Sequence, residues 1–136
     1  MAHVTVKSNT SKKYQQEIKA ASHSFVSDAP ESVGGLATGP DPHELLLASL
    51  GSCTAITLEM YAAKKGWDLR SVNVALQEES VDDPANPGKK VSKITRDIKV
   101  EGSFDAEQME SLKSAADRCP IHKLLSGPKQ IETVLN

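Results

Sequence analysis

The chain has 136 residues, of which 38% are hydrophobic and 25% are charged, and its net charge is −2. These values predict a single globular domain over residues 1–136. Because no Lys/Arg stripe is present, neither a nucleic acid nor an anionic membrane surface is expected as a partner. The first residues lack the basic-then-apolar pattern of a secretory signal, and two cysteines do not make a disulfide framework. We therefore expect a cytoplasmic protein whose cysteines rest as thiols.

The first part of the chain has the alternating pattern of β-strands. Apolar and polar residues alternate at Val4–Val6 and again at Tyr14–Ala20, and Phe25-Val26 follows a short break. This pattern predicts three early strands. Residues 27–40 are rich in proline and glycine, so we expect a loop there, long enough to be functional.

A long helix is predicted to begin at Asp41 and to run to about Lys65. Asp41 suits the N-cap, Glu44 follows three residues later, and Gly66 is a C-terminal stop signal. From Leu45 to Leu58 the helix has no charged side chain, and apolar or small residues occur on every face. The pattern predicts a central helix buried on all sides, since the charge-free run is shorter than the ~18–20 residues of a membrane span. A second subunit would help to cover such a helix, so we expect a homodimer.

The second half of the chain predicts a β-hairpin followed by two shorter helices. The strands are marked by Val72–Leu76 and Ile94–Val100, with a polar loop over 82–90 between them. Asp105 is the expected cap of the next helix, and a short helical turn from Ile121 to Leu125 follows Pro120. The apolar face of the second helix consists of Met109, Leu112, Ala116 and Cys119. A final strand is predicted at Ile131 and Val134, and the whole order indicates an α+β fold with antiparallel pairing.

The two cysteines are the main candidates for chemistry. Cys53 lies within the long helix among small neighbours, where it is either a core residue or a functional thiol. Cys119 stands just before Pro120, where the start of the next helix favours a thiolate. Because Cys119 ends an apolar face, it points toward the core, and a contact with Cys53 is geometrically reasonable.

Three other residues are candidates for the same site. Glu44 either completes a capping box or orients a polar substrate. Cys119 and His122 have Cys-x-x-His spacing, which can bind a metal, although no second Cys/His pair is near. Arg96 shares a strand face with Ile94 and Ile98, so it either reaches solvent along its stem or pairs with a buried anion.

The sequence resembles the OsmC/Ohr family of bacterial hydroperoxide-reducing proteins. The similarity is carried by Gly39–Ala55, which reads GPDPHELLLASLGSCTA, and by the later segments Met60–Ala62 and Lys65–Trp67. Cys119-Pro120-Ile121-His122 resembles the second cysteine motif of the family. The two motifs together are specific, and the nearest branch is that of the OsmC-like redox proteins.

This resemblance implies an intertwined homodimer in which antiparallel sheets surround long central helices. It also implies that Cys53 is the peroxidatic thiol, that Cys119 resolves it as a disulfide, and that Glu44 helps to hold an activating arginine. In the family this arginine comes from the N-terminal strands, whereas here no arginine precedes Arg70. We expect Arg96 to replace it by facing Glu44 or Cys53. The cations that would otherwise be considered are Lys7, Lys12, Lys13 and Arg118.

The function implied is that of a cysteine-based peroxidase for organic hydroperoxides, reset by a dithiol reductant and needing no cofactor. Two alternatives stay open at this point. One is a non-enzymatic stress or thiol-binding dimer with the same fold. The other is a metal site made by Cys119, His122 and Cys53.

Overall fold

The computed structural model describes residues 2–136. Within these residues, five strands and three α-helices follow one another, with a 3₁₀ turn at Glu31–Val33. The strands are β1 (Val4–Ser8), β2 (Gln16–Ala20), β3 (His23–Ser27), β4 (Leu69–Asp82) and β5 (Lys90–Gly102). The helices are α1 (Pro42–Lys65), α2 (Ala106–Asp117) and α3 (Pro120–Ser126). The contacts divide the chain into two compact units, one ending at Leu46 and one spanning Leu47–Asn136.

The unit that ends at Leu46 is built on an antiparallel meander of β1, β2 and β3. Ile18 on the central strand pairs with Val6 on one side and Phe25 on the other, and it is buried. The loop that follows β3 is held by Asp28, whose carboxylate accepts hydrogen bonds from the Thr38 hydroxyl at 2.6 Å and from the Ala29 amide at 2.8 Å. The three predicted early strands and the loop are confirmed.

Helix α1 begins and ends where the sequence predicts. At its start, the Glu44 amide donates to the Asp41 carboxylate at 2.8 Å, and the Asp41 amide donates to the Glu44 carboxylate at 3.1 Å. This reciprocal pair is a capping box, which satisfies two amides that the helix leaves unpaired. At the other end Gly66 takes φ +72°, a left-handed conformation that terminates helices at glycine.

In the unit Leu47–Asn136, β4 and β5 form a long antiparallel hairpin. Its inner face packs with α1 and α2 around a core made by Leu58, Leu112, Ala115 and Ala116. Gly51 on α1 permits the close approach of the hairpin, because a Cβ atom there would lie 2.8 Å from Leu76 Cδ1. The fold is therefore α+β with antiparallel sheets, as predicted.

In the single chain α1 is buried along one side, so the predicted burial on all sides depends on a second subunit. Its buried residues form one stripe, and they are Leu50, Gly51, Thr54, Leu58 and Ala62. Ile56 and Met60 are 49% and 69% exposed. By length and mean hydropathy (1.4), α1 is the one helix among residues 2–136 that meets the criteria for a membrane span. The core helix of a soluble protein meets the same criteria, so the pattern is compatible with a soluble protein.

The predicted final strand at Ile131 and Val134 is wrong. Residues 127–136 form no regular element, and these two side chains are 85% and 73% exposed. They are three positions apart, so a strand would place them on opposite faces rather than together. The segment therefore lacks the alternation that anchors a strand to a core.

Candidate functional site

The two cysteines lie together, on α1 and at the start of α3. Both are free thiols; Cys53 is partly exposed, whereas Cys119 is completely buried. Their sulfur atoms are hydrogen-bond partners. Cys119 reaches this position because α2 ends at Asp117, and Pro120 then occupies the first turn of α3. The predicted contact between the two thiols is therefore present.

The two sulfurs have different surroundings, and these shift the pKa values of the two thiols in opposite directions. Burial, together with the hydrogen bond that Cys53 donates to Cys119 and the negative charge there, raises the pKa of Cys53. Burial also acts against ionisation of Cys119, but hydrogen bonds from Cys53, from the His122 and Ile121 amides and from Thr54 outweigh it, so the pKa of Cys119 is lowered. The pair thus loses its first proton more readily than a free cysteine and its second proton less readily.

Arg96 on β5 connects all three helices around this pair. Its Nη1 donates to the Thr54 hydroxyl of α1 at 2.9 Å and to the Ala116 carbonyl of α2 at 3.1 Å. Its Nη2 donates to the Asp117 carboxylate at 2.9 Å and bonds to His122 Nδ1 of α3 at 3.2 Å. Because a guanidinium only donates, His122 must accept at Nδ1 and carry its proton on Nε2 when neutral.

The prediction that Arg96 faces Glu44 or Cys53 is wrong. Its carboxylate partner is Asp117, and its side chain is 11% exposed, so the guanidinium neither reaches open solvent nor pairs with the loop acids of 82–83. Arg96 pairs with Asp117 because the C-terminal end of α2 is negative: an acidic residue and the last backbone carbonyls lie there, and a cation stabilises them. Arg96 reaches the thiols indirectly, because its partner Thr54 is also a hydrogen-bond partner of Cys119.

The remaining predicted site residues have other neighbours. Glu44 is engaged in the capping box with Asp41. Arg118 lies over the ring of Tyr61, with 5.7 Å between its Cζ and the ring centroid. Lys13 lies over the ring of Tyr14 at 4.8 Å. Within the described part of the chain, no three side chains of the His, Cys, Asp or Glu type converge as they would in a metal site.

Two residues of the site were missed by the sequence analysis, Thr54 and Asp117. Thr54 is completely buried and donates to the Leu50 carbonyl at 2.7 Å, a bond that helical threonines commonly make to the preceding turn. The signal for Asp117 was present, because an acid in the last turn of a helix is unfavourable without a cation nearby. On that basis, Asp117 could have been predicted to form an ion pair with a buried arginine.

The protein is thus an α+β protein with a pair of adjacent thiols. Comparison of its sequence with models of known protein families identifies the family. The family described as OsmC-like protein matches residues 34–134. The chain belongs to this family. The comparison with curated protein sequences gave no significant match.

Solved structures share the same fold. An OsmC-like protein from Mycoplasma pneumoniae superposes with a TM-score of 0.76 at 18% identity, covering 93% of this chain and 88% of the other. The organic hydroperoxide resistance protein OhrB of Bacillus subtilis superposes with a TM-score of 0.63 at 22% identity, covering 93% of this chain and 91% of the other. An organic hydroperoxide resistance protein from Elizabethkingia anophelis superposes with a TM-score of 0.66 at 15% identity, covering 93% of this chain and 89% of the other.

Proposed function

We propose that the protein is a thiol-dependent hydroperoxide reductase that works through a dithiol–disulfide cycle of Cys53 and Cys119. The observation that carries the proposal is the hydrogen-bonded pair of one accessible and one buried thiol. The pair loses its first proton more readily than a free cysteine, and the proton that remains is shared between the two sulfurs, so Cys53 carries the charge when it attacks as a thiolate, the reactive form of cysteine. Organic hydroperoxide resistance proteins are among the structures with the same fold, which supports a role in peroxide stress.

The proposed reaction has two steps. The Cys53 thiolate attacks the terminal oxygen of the hydroperoxide, the O–O bond breaks, and Cys53 becomes a sulfenic acid, while the departing alkoxide takes a proton from solvent and leaves as the alcohol. Cys119 then attacks the Cys53 sulfur, a disulfide forms, and water leaves. A dithiol reductant returns the pair to the reduced state. Cys53 takes the first step because Cys119 has no exposed surface.

The surface around Cys53 supports an organic substrate. Cys53, Ile56 and Met60 are spaced three and seven positions apart, so they lie on one face of α1. Both apolar neighbours are strongly exposed. An alkyl group of a hydroperoxide would find an apolar surface beside the reacting sulfur.

The same surface supports the proposed homodimer. A second subunit would cover Ile56 and Met60 and would place the Cys53 sites at the interface. Glu44 is nine positions before Cys53, which is roughly 13 Å along a helix and on the opposite face. A catalytic role of Glu44 is therefore proposed across the interface, in addition to the capping of α1. We also propose one OsmC-like domain over 1–136, located in the cytoplasm.

Hydroperoxide consumption tests this function. Purified protein is mixed with cumene hydroperoxide and dithiothreitol, and the loss of peroxide is followed for wild type and Cys53→Ser. We expect turnover by wild type and a rate at the background level for the variant. Equal rates for the two proteins would show that Cys53 is not the attacking thiol, and the absence of turnover by wild type would favour the non-enzymatic thiol protein.

A further inference from the structure

One guanidinium joins the two segments that carry the cysteines. Arg96 Nη1 donates to the hydroxyl of Thr54 at 2.9 Å, and Thr54 directly follows Cys53 on α1. The same nitrogen donates to the carbonyl of Ala116 at 3.1 Å, three residues before Cys119. Arg96 therefore connects the helix of the attacking thiol with the segment of the resolving thiol.

The carbonyl of Ala116 also holds the backbone of Cys119. It accepts the Cys119 amide at 3.3 Å in addition to the hydrogen bond from Arg96. On the other side, the Cys119 carbonyl accepts the Lys123 amide at 3.1 Å in the first turn of α3. The position of Cys119 thus depends on the end of α2 and on the start of α3, and a shift of either would move its sulfur.

Arg96 binds the chain on both sides of Cys119. Before the cysteine, Nη1 binds Ala116, and Nη2 donates to the Asp117 carboxylate at 2.9 Å. After it, Nη2 lies 3.2 Å from Nδ1 of His122 on α3. The turn between α2 and α3 is therefore held by a single side chain from β5, and Cys119 lies within that turn.

The contacts nearest the cysteines are shielded from water. Thr54 and Cys119 are completely buried, Ala116 is buried as well, and the side chain of Arg96 is 11% exposed. Hydrogen bonds of a charged group are strong in such surroundings and costly to break. Asp117 is 60% exposed, so its ion pair with Arg96 contributes less. The bonds to Thr54 and Ala116 therefore carry most of the connection.

We infer that Arg96 is a positioning residue for the second step of the reaction, in which it keeps the sulfur of Cys119 within reach of Cys53. This inference rests on the proposed peroxidase function and adds a residue to its resolving step. In that step the Cys119 sulfur bonds to the Cys53 sulfur, and the S–O bond of the sulfenic acid breaks. The hydroxide that leaves combines with the thiol proton of Cys119 as water, so Cys119 is oxidised and the Cys53 sulfur is reduced.

The resolving step is sensitive to the placement of the two segments. A disulfide forms only when the sulfur atoms approach to ~2.05 Å with a Cβ–S–S–Cβ dihedral of roughly ±90°. A misplacement of about 1 Å in a reacting group can slow a step about 100-fold. Loss of Arg96 should therefore slow the closure of the disulfide, whereas the attack of Cys53 on the hydroperoxide does not require Cys119 to be in place.

A single turnover separates the two steps. Reduced protein is mixed with one equivalent of cumene hydroperoxide, and the loss of peroxide reports the first step. Mass spectrometry of quenched samples reports the disulfide, and dimedone traps the sulfenic acid. We expect Arg96→Met to consume peroxide at the rate of wild type but to close the disulfide about tenfold more slowly, because its Cys119 is misplaced. Circular dichroism checks that the variant is folded.

Arg118→Met is the matched control. Arg118 is adjacent to Cys119 in sequence, but it is exposed and its guanidinium lies over the ring of Tyr61. This variant should leave both rates unchanged.

Substitutions at His122 keep the test independent of how well Arg96→Met folds. Asparagine retains an acceptor near the position of Nδ1, whereas leucine removes it. His122→Asn should close the disulfide at the rate of wild type, and His122→Leu should slow it. Equal closure by wild type, Arg96→Met and His122→Leu would overturn the inference. Equal slowing of both steps by Arg96→Met would also overturn it, because Arg96 would then act on the attacking thiolate.

Equilibrium with glutathione measures the positioning role without peroxide. In a mixture of reduced and oxidised glutathione, the ratio of disulfide to dithiol protein reports the effective concentration of one cysteine at the other. Arg96→Met should lower this ratio about tenfold, and Arg118→Met should not. If wild type consumes no hydroperoxide, the proposed function fails while this ratio still decides the role of Arg96. If peroxide is consumed and Arg96→Met changes neither the ratio nor the closure rate, the inference is wrong and the function stands.

Discussion

Arg96 on β5 donates from Nη1 to the hydroxyl of Thr54 on α1 across 2.9 Å, which joins the hairpin to the helix that carries Cys53. The same nitrogen holds the Ala116 carbonyl near the end of α2. Three helices and a strand therefore meet at one side chain. Changes at Arg96 should affect the stability of the protein as well as its chemistry.

We expect Arg96→Met to lower the free energy of unfolding by about 2–4 kcal/mol, because it removes charged hydrogen bonds from partners that are mostly buried. The bond to the exposed Asp117 contributes little of this loss. Arg96→Lys should recover only part of the stability, since an ammonium group cannot reproduce the planar fork. Urea unfolding measures both values, with Lys99→Met on the exposed face of β5 as control. Full recovery by lysine would show that charge alone, and not the fork, is required.

The dependence of stability on pH should have its maximum near the ordinary pKa of cysteine. Below that value the folded pair has already lost one proton, because the pKa of Cys119 is lowered, whereas the unfolded chain still holds both. The free energy of unfolding therefore rises with pH in this range. Above that value the folded pair still holds one proton, because the pKa of Cys53 is raised, whereas the unfolded chain has lost both. The free energy of unfolding therefore falls as the pH rises further.

This maximum is measured by urea unfolding at a series of pH values under reducing conditions. The double variant with serine at positions 53 and 119 provides the reference, and the difference between the two curves isolates the cysteines. A difference that does not vary with pH would mean that folding leaves the acidities of the thiols unchanged.

Replacement of Cys119 should change the fate of oxidised Cys53. In Cys119→Ser the sulfenic acid has no resolving thiol, so excess peroxide should convert it to the sulfinic acid, which dithiothreitol does not reduce. Intact mass spectrometry detects the added oxygen atoms. Wild type should resist this oxidation under the same conditions. If both proteins accumulate the sulfinic acid at equal rates, Cys119 does not protect Cys53.

The oligomeric state is predicted from the exposed apolar face of α1. Ile56 and Met60 are exposed in the single chain, and a second subunit would bury them. Sedimentation at micromolar concentration should show a dimer, and Ile56→Lys should weaken it. Thr95→Lys adds the same charge at an exposed position of β5 and serves as control. A monomeric wild type would contradict the proposed placement of the site at an interface.

Most of the fold could be predicted from local patterns. The capping residues Asp41 and Glu44 and the stop at Gly66 fixed α1, because these signals act within one turn of a helix. The final strand could not be predicted reliably, because the pairing of a strand depends on a partner distant in sequence. The segment with Ile131 shows this: it has strand-forming residues but no regular structure.

The candidate site was predictable in part. The contact between the cysteines followed from the apolar face that ends at Cys119. The partners of Arg96 did not follow from sequence, since they lie on three helices whose packing angles no local pattern specifies. The buried position of Arg96 was evident from its strand face, but the anion that meets it depends on where α2 ends.

The most direct measurement of the central claim is a peptide map of the protein after one equivalent of organic hydroperoxide. Alkylation of remaining thiols and digestion without reductant should yield a peptide pair linked through Cys53 and Cys119. The intact chain should lose two hydrogens, and dithiothreitol should restore them. A disulfide between subunits, or stable oxidation of Cys53 without any link to Cys119, would contradict the account.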